Sequence, residues 1–572
     1  MKNIFTLSIL FYSLNLFAQN PVEEAATLID KAEYDKAIEI LDAYIQKKPK
    51  DDLAYINRGI AYIYKREHTK AIEDLNVYIS YNGKNADAYN KRGFCYMNDG
   101  NEKMAIADFE KAIQVNPNYF DAYENIGLIY YDKSEWEKAI DWYTKSIKVN
   151  PASSNAFAHR GSAKTSLGQL ESAMDDIKLA IELNPNDEYN YQYLGQIYHL
   201  QGLPFKALEA VEKCIEINPT NSINYINASN MYIDLGEFEK AKNLALKAKE
   251  VNPRNPDSDE FIIMAEYALT NYEVAKNMAM KLYKDNKAGA KSLNVLGLYY
   301  WNIVKDADSA AFYYRAAIDK DRLYVYPYKN ISDIFAHFNM PDDAIEGYTM
   351  ALKLTPNDPA VYNKRGLVYL EQKQNDLLAE SDFKMAMSLD PKSASYKNNY
   401  GRLLIASNPE KANSIFDEVL VLDPKFATAY YNKAVIFLNA GKNKEAIADL
   451  DKAIGIEKEF ADAIFLRGYC NVILENYKEG KKDFEKFISI DDKNSMAYNN
   501  LGLCLTVLNE ADKAIVHLNK AIELNDKNSM AFYNRAKAYF KKNKNELACA
   551  DLKTSVELGN KDAEEMLKEK CK

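Results

Sequence analysis

Small and apolar positions recur along this chain with a period of thirty-four residues, and Ala37, Ala71, Ala105, Ala139, Ala173, Ala207, Ala241 and Ala275 keep that period without a slip. A second series, Gly59, Gly93, Gly127, Gly161 and Gly195, lies twelve residues before an alanine, and a third, Pro117, Pro151, Pro185, Pro219 and Pro253, twelve residues after one. Small residues suit the point where two helices cross closely, and proline, lacking an N–H, suits the turn where a second helix stops. Each unit therefore predicts helix, turn, helix, turn.

In the third unit the marks are Tyr89, Gly93 and Tyr96 in the first helix, Ala105, Phe109 and Ala112 in the second, then Pro117. The alanine ladder continues through Ala310, Ala344, Ala379, Ala412, Ala446, Gly480, Ala514 and Ala548. This pattern resembles the tetratricopeptide repeat, whose length is also thirty-four residues. The resemblance implies an all-α solenoid, a right-handed superhelix of about sixteen helix-turn-helix repeats over residues 19–560, with residues 561–572 as a C-terminal capping helix. A repeat array buries its core between neighbours, so one solenoid is expected rather than several globular domains. Irregularity is expected around 253–310. The segment from Gly297 to Ala310 is one residue long, as is that from Gly366 to Ala379, and the segment from Gly401 to Ala412 is one short. Repeat eight carries Ile263 in place of the glycine, and its approach, Asn252 to Asp257 with two prolines, is the expected hinge.

Residues 1–18 stand outside the repeats: Lys2 is followed by a mostly apolar run and a small residue, Ala18, for cleavage. That pattern predicts a secretory signal and an exported protein of a bacterial envelope, periplasmic or extracellular, without a stable transmembrane segment after cleavage. The six cysteines read as packing residues: Cys95, Cys470 and Cys504 share one helix position, and Cys214 replaces the small residue seen at Ala112. Only Cys549 and Cys571 lie where a stack could bring two together.

The formal net charge of -10 argues against a nucleic-acid surface, which needs clustered Lys and Arg to neutralise phosphates. The histidines His68, His159, His199, His337 and His517 are scattered without ligand spacing, and no catalytic motif is found, so no enzyme activity, metal or cofactor is expected.

One pairing emerges when the repeats are compared with each other. Arg58, Arg92, Arg160, Arg365, Arg467 and Arg535, with Lys433 in repeat thirteen, precede the glycine mark in the repeats that carry Asp74, Asp108, Asp176, Asp382, Asp483, Asp551 and Asp449 in the second helix. Repeats with Ile126, Leu194, Leu296 or Ile331 at the first place lack the aspartate. A cation and an anion that appear and vanish together are expected to touch, because a partly buried guanidinium needs a carboxylate.

Function then rests on the surface of the stack. The family resemblance implies a concave groove lined by first helices that receives an extended peptide or a partner helix. Asn57, Asn125, Asn227, Asn330, Asn399, Asn432, Asn500 and Asn534 share one place there, two residues before the glycine mark, and a row of amides offers donors and acceptors to peptide backbone. Orientation of neighbouring repeats is the competing role. The expected lining is polar in repeats three to six, with Asn90, Asp121, Glu124, Asn155, Gln192 and Gln196. It is apolar in repeats thirteen to sixteen, where Tyr431, Val435, Phe465, Tyr469, Leu503, Tyr533 and Phe540 join Asn432, Asn500 and Asn534 as the expected partner site. The expected function is a noncatalytic scaffold for protein or peptide partners. Binding of envelope polysaccharide through the 43 tyrosines is the alternative, weakened because Tyr55, Tyr89, Tyr123, Tyr191 and Tyr225 fall at packing positions.

Overall fold

The computed structural model describes residues 20–571, and the expected export signal, residues 1–18, lies outside the described residues. Thirty-three α-helices and no β-strand are found among them, so the chain is an all-α solenoid. The helices pair consecutively from Pro21–Asp30 with Tyr34–Lys47 to Ser529–Lys541 with Asn545–Glu557, and Lys561–Lys570 follows alone. Contacts divide the chain into two compact units, one ending at Val295 and the other beginning at Leu296. None of the helices among the described residues is long and apolar enough to cross a membrane.

Volume exchange between paired helices explains the period. The alanines of the ladder, Ala105 and Ala139 among them, are fully buried, and the glycine marks admit a large residue fifteen to seventeen positions later. A Cβ on Gly127 would lie 2.7 Å from Cε1 of Tyr143, and one on Gly401 2.7 Å from Cε1 of Phe416. In repeat eight the bulk has moved to the first helix: Ile263 is buried, and the place opposite is the buried Ala279. The turn at 252–257 has the common form, with the helix ending at Val251 and Asn255 capping the next by accepting from the Asp257 N–H. The division between the two units falls later, within the helix Ala290–Tyr299.

The turn inside every pair but the one after Gly401 carries one residue in the left-handed region, such as Arg66 (φ 60°), Ser134 (φ 58°) and Gly168 (φ 74°). Where the sequence gains a residue, after Gly297, the first helix ends in a π-helical turn, Tyr300–Val304, which absorbs the insertion by widening one turn of helix. Where it loses one, after Gly401, the first helix stops early at Leu404 and the turn has no left-handed residue.

Each of the six Arg and Asp pairs is a two-point ion pair. In repeat three, Arg92 donates from Nε to Oδ2 of Asp108 at 2.7 Å and from Nη2 to Oδ1 at 2.6 Å. The same fork joins Arg58 to Asp74, Arg160 to Asp176, Arg365 to Asp382, Arg467 to Asp483 and Arg535 to Asp551. The third guanidinium nitrogen reaches back to the second helix of the preceding repeat, to Asn76 from Arg92, Thr144 from Arg160 and Asn519 from Arg535. Lys433 departs from the expectation. Its single ammonium takes only the backward contact, to Asp417, and leaves Asp449 to Lys452. A point charge cannot span both neighbours as a planar fork can.

Cys549 and Cys571 form a disulfide with Cα atoms 5.7 Å apart, which corrects the reading of all six cysteines as packing residues. Cys95, Cys214, Cys470 and Cys504 are free and buried. The disulfide ties the helix Lys561–Lys570 to the last repeat, where Ala563 is buried and Met566 and Leu567 pack against the cluster of Ala536, Ala548 and Leu552.

Candidate functional site

Four of the eight asparagines of the series make contacts between repeats. Asn125 donates its Nδ2 to Oδ1 of Asn90 at 2.9 Å, Asn399 to Asn363 at 2.9 Å, Asn432 to Asn398 at 3.0 Å and Asn534 to Asn499 at 3.0 Å. In each case the amide two residues before the mark donates to the residue three before the mark of the preceding repeat. Asn432, Asn500 and Asn534 are buried, which corrects their expected place on an exposed partner site, whereas the other five of the series are half-buried. Of the three, Asn500 makes no such donation. The place where its acceptor would stand is Phe465, and its Nδ2 is buried without a partner.

The aromatic residues expected at the partner site separate in the same way. Phe465 is half-buried, with its ring 5.6 Å from Phe484 and 5.2 Å from Phe487, and belongs to the core. Tyr431 packs on Phe460 at 5.3 Å and is half-buried, as is Val435. Tyr533 is half-buried beneath the Lys537 ammonium, 4.5 Å from its ring centre. Tyr469 alone of the expected aromatics is exposed, at 40%.

What remains on the surface is a stripe from two places per repeat, one and five residues after the mark. It carries Val435 and Asn439, then Tyr469 and Ile473, then Leu503 and Val507, then Lys537 and Lys541. Ile473 and Val507 are 45% and 39% exposed. The stripe ends in a cleft of about 430 Å³ lined by Leu503, Thr506, Val507, Lys537, Phe540, Lys541, Met566 and Lys570. The sequence marked Leu503 and Phe540 but missed the lysines and the wall from the last helix, for which the only signal was the repeat of the same two places.

In the N-terminal unit the first-helix face holds polar clefts. One, of about 340 Å³, is lined by Asn90, Asp121, Glu124, Asn125, Leu128, Asn155 and His159, and another, of about 350 Å³, by residues including Gln192, Tyr193, Gln196, His199 and Asn227. Glu124 accepts from the Ser153 and Ser146 hydroxyls at 2.7 and 3.0 Å, and burial raises its pKa above the usual carboxylate value. Burial likewise lowers the pKa of His159, whose ring lies 5.6 Å from that of Tyr143. Many tyrosines are committed to structure: the hydroxyls of Tyr55, Tyr123 and Tyr225 each donate to a turn carbonyl six residues back, those of Pro49, Pro117 and Pro219, at 3.1 Å.

Family models described as tetratricopeptide repeat match residues 86–119, 120–153, 154–187, 190–221, 224–255, 402–464, 461–494 and 495–528, which together span just over half of the chain. The chain belongs to the tetratricopeptide repeat family. Proteins of this family act as scaffolds for protein interaction. Among solved structures, the crystal structure of the APC/C hetero-tetramer Cut9-Hcn1 is similar at TM-score 0.57 and 15% identity, covering 88% of this chain and 99% of that one, a likeness of fold. YrrB, a TPR protein with an unusual peptide-binding site, is 25% identical at TM-score 0.31, covering 33% of this chain and 97% of its own. No curated protein matches the chain.

Proposed function

We propose that this tetratricopeptide repeat protein is a noncatalytic scaffold of a bacterial cell envelope that holds a protein or peptide partner along the first-helix stripe of its C-terminal unit. The observation that carries the reading is the exposure of Tyr469, Ile473 and Val507 on equivalent places of consecutive repeats, beside a lysine-lined cleft. Large apolar side chains exposed in register form a continuous patch, and such patches rimmed by polar groups mark interaction sites. The partner that fits is an extended or helical segment with apolar side chains followed by an acidic group. Two features support export: the pattern of residues 1–18 and the Cys549–Cys571 disulfide, a bond that persists in oxidising compartments. Co-purification from envelope extracts, compared between the natural protein and a Tyr469→Ala, Ile473→Ala variant, tests the reading. A specific partner retained by the first and lost by the second supports it, and identical partners in both contradict it.

A further inference from the structure

The cleft at the end of the stripe has a chemistry of its own. Three ammonium groups line it, and among the described residues none has a carboxylate within ion-pair distance. Lys537 lies over the Tyr533 ring, Lys541 is held by the Asn509 amide oxygen at 2.7 Å, and Lys570 stands 5.5 Å from the centre of the Phe540 ring. The nearest acid to act on Lys537 is Asp562 of the last helix, and burial nevertheless lowers the Lys537 pKa below the usual lysine value.

The remaining surface of the cleft is apolar. Phe540, Val507 and Met566 supply it, and the one hydroxyl, that of Thr506, is spent on the Gly502 carbonyl at 2.7 Å. Three unpaired cations over an apolar floor leave a charge for a ligand to neutralise and a surface for it to cover. The volume, about 430 Å³, lies in the range of small-molecule sites, roughly 300–1,000 Å³.

We propose that this cleft is a binding site for a small single-chain amphiphile with an anionic head, the head set among Lys537, Lys541 and Lys570 and the chain against Phe540, Val507 and Met566. The cleft shares Leu503, Val507, Lys537 and Lys541 with the end of the partner stripe, but Tyr469 and Ile473 are not in it, so small-molecule binding is tested separately from partner capture at those two residues. One wall belongs to the helix Lys561–Lys570, and Cys571, next to Lys570, is bonded to Cys549, so the disulfide holds that wall in place.

Titration calorimetry of the full chain tests the site with decanoate, decyl phosphate and decyltrimethylammonium below their aggregation concentrations. Decanoate or decyl phosphate should bind once per chain, and the stronger of the two identifies the head group as carboxylate or phosphate. The cation of equal chain length should bind at least about tenfold more weakly. Lys537→Met with Lys570→Met should weaken the anion at least about tenfold. Should that variant lose helicity, Lys541→Glu changes an exposed residue and should still weaken it about fivefold or more. Absence of binding by either anion, equal binding of the cation, or full affinity in the folded lysine variants would overturn the proposal.

Discussion

Asp108 holds Arg92 through two parallel hydrogen bonds, and the same guanidinium extends its remaining nitrogen to Asn76 one repeat earlier. The arginine thus fixes both the pairing of helices within a repeat and the seat of that repeat on its neighbour. The carboxylate is almost fully buried and the guanidinium mostly so, with side-chain exposures of 8% and 17%. Asp108→Leu should therefore cost about 3 kcal/mol, the lower end for breaking a buried pair, because it strands the cation. Arg92→Leu with Asp108→Leu should recover most of that loss, as in repeat four, where Ile126 and Trp142 occupy the two places. Hydrogen exchange in residues 86–115 measures both.

Replacing Gly127 by alanine places a methyl against the Tyr143 ring at 2.7 Å. The ring must move within a packed interface, at a cost of about 1–3 kcal/mol. Gly127→Ala with Tyr143→Leu should be more stable than Gly127→Ala alone, because the smaller side chain frees the space. Local exchange over residues 120–149 is the readout.

The period, the helix pairs and the six Arg and Asp forks are legible in the sequence because each repeats within the chain, so one repeat explains another. The asparagines are not legible in the same way. An amide two residues before the mark looks alike whether it faces solvent or donates to the preceding repeat, and the difference lies in a residue thirty-five or so positions earlier, Asn499 for Asn534 but Phe465 for Asn500. Phe465 itself reads as groove or core until its distances to Phe484 and Phe487 are known. The disulfide is legible only as a place, Cys549 and Cys571 being the two cysteines the end of a stack could bring near, and the return of the last helix is what brings the two sulfurs together.

Acid should loosen the contact between repeats fourteen and fifteen. Hydrogen bonds from Lys481 and Lys513 hold the Glu510 pKa down at about 2, from an ordinary value of 4.5. A carboxylate whose pKa is lower folded than unfolded adds stability above the unfolded value, and that stability is lost as pH falls through the folded one. The melting temperature of the natural protein should exceed that of Glu510→Gln at pH 6, with the gap closing between pH 4.5 and about 2 and narrowing in high salt because the pair is exposed.

Removing the disulfide by Cys571→Ser should release the last helix rather than unfold the stack. Closing a loop of this length is worth about 3 kcal/mol in the unfolded ensemble, and the helix buries only Ala563 fully. Amide exchange over residues 561–570 should accelerate markedly while residues 427–490 keep their protection.

Photo-crosslinking tests the partner stripe most directly. A photoreactive side chain is placed at position 469 on the first-helix face, or at position 485 on the second helix of the same repeat, and the protein is illuminated in envelope extract. One protein should be captured from position 469 and not from 485, and Ile473→Ala should reduce its yield at least about fivefold with helicity unchanged. Phe465→Ala serves as the control, and as a core change it should lower the melting temperature, a Phe→Ala core truncation costing about 3–5 kcal/mol. Capture from 485 alone, or equal capture from both positions, would contradict a partner site on the stripe of Tyr469, Ile473 and Val507.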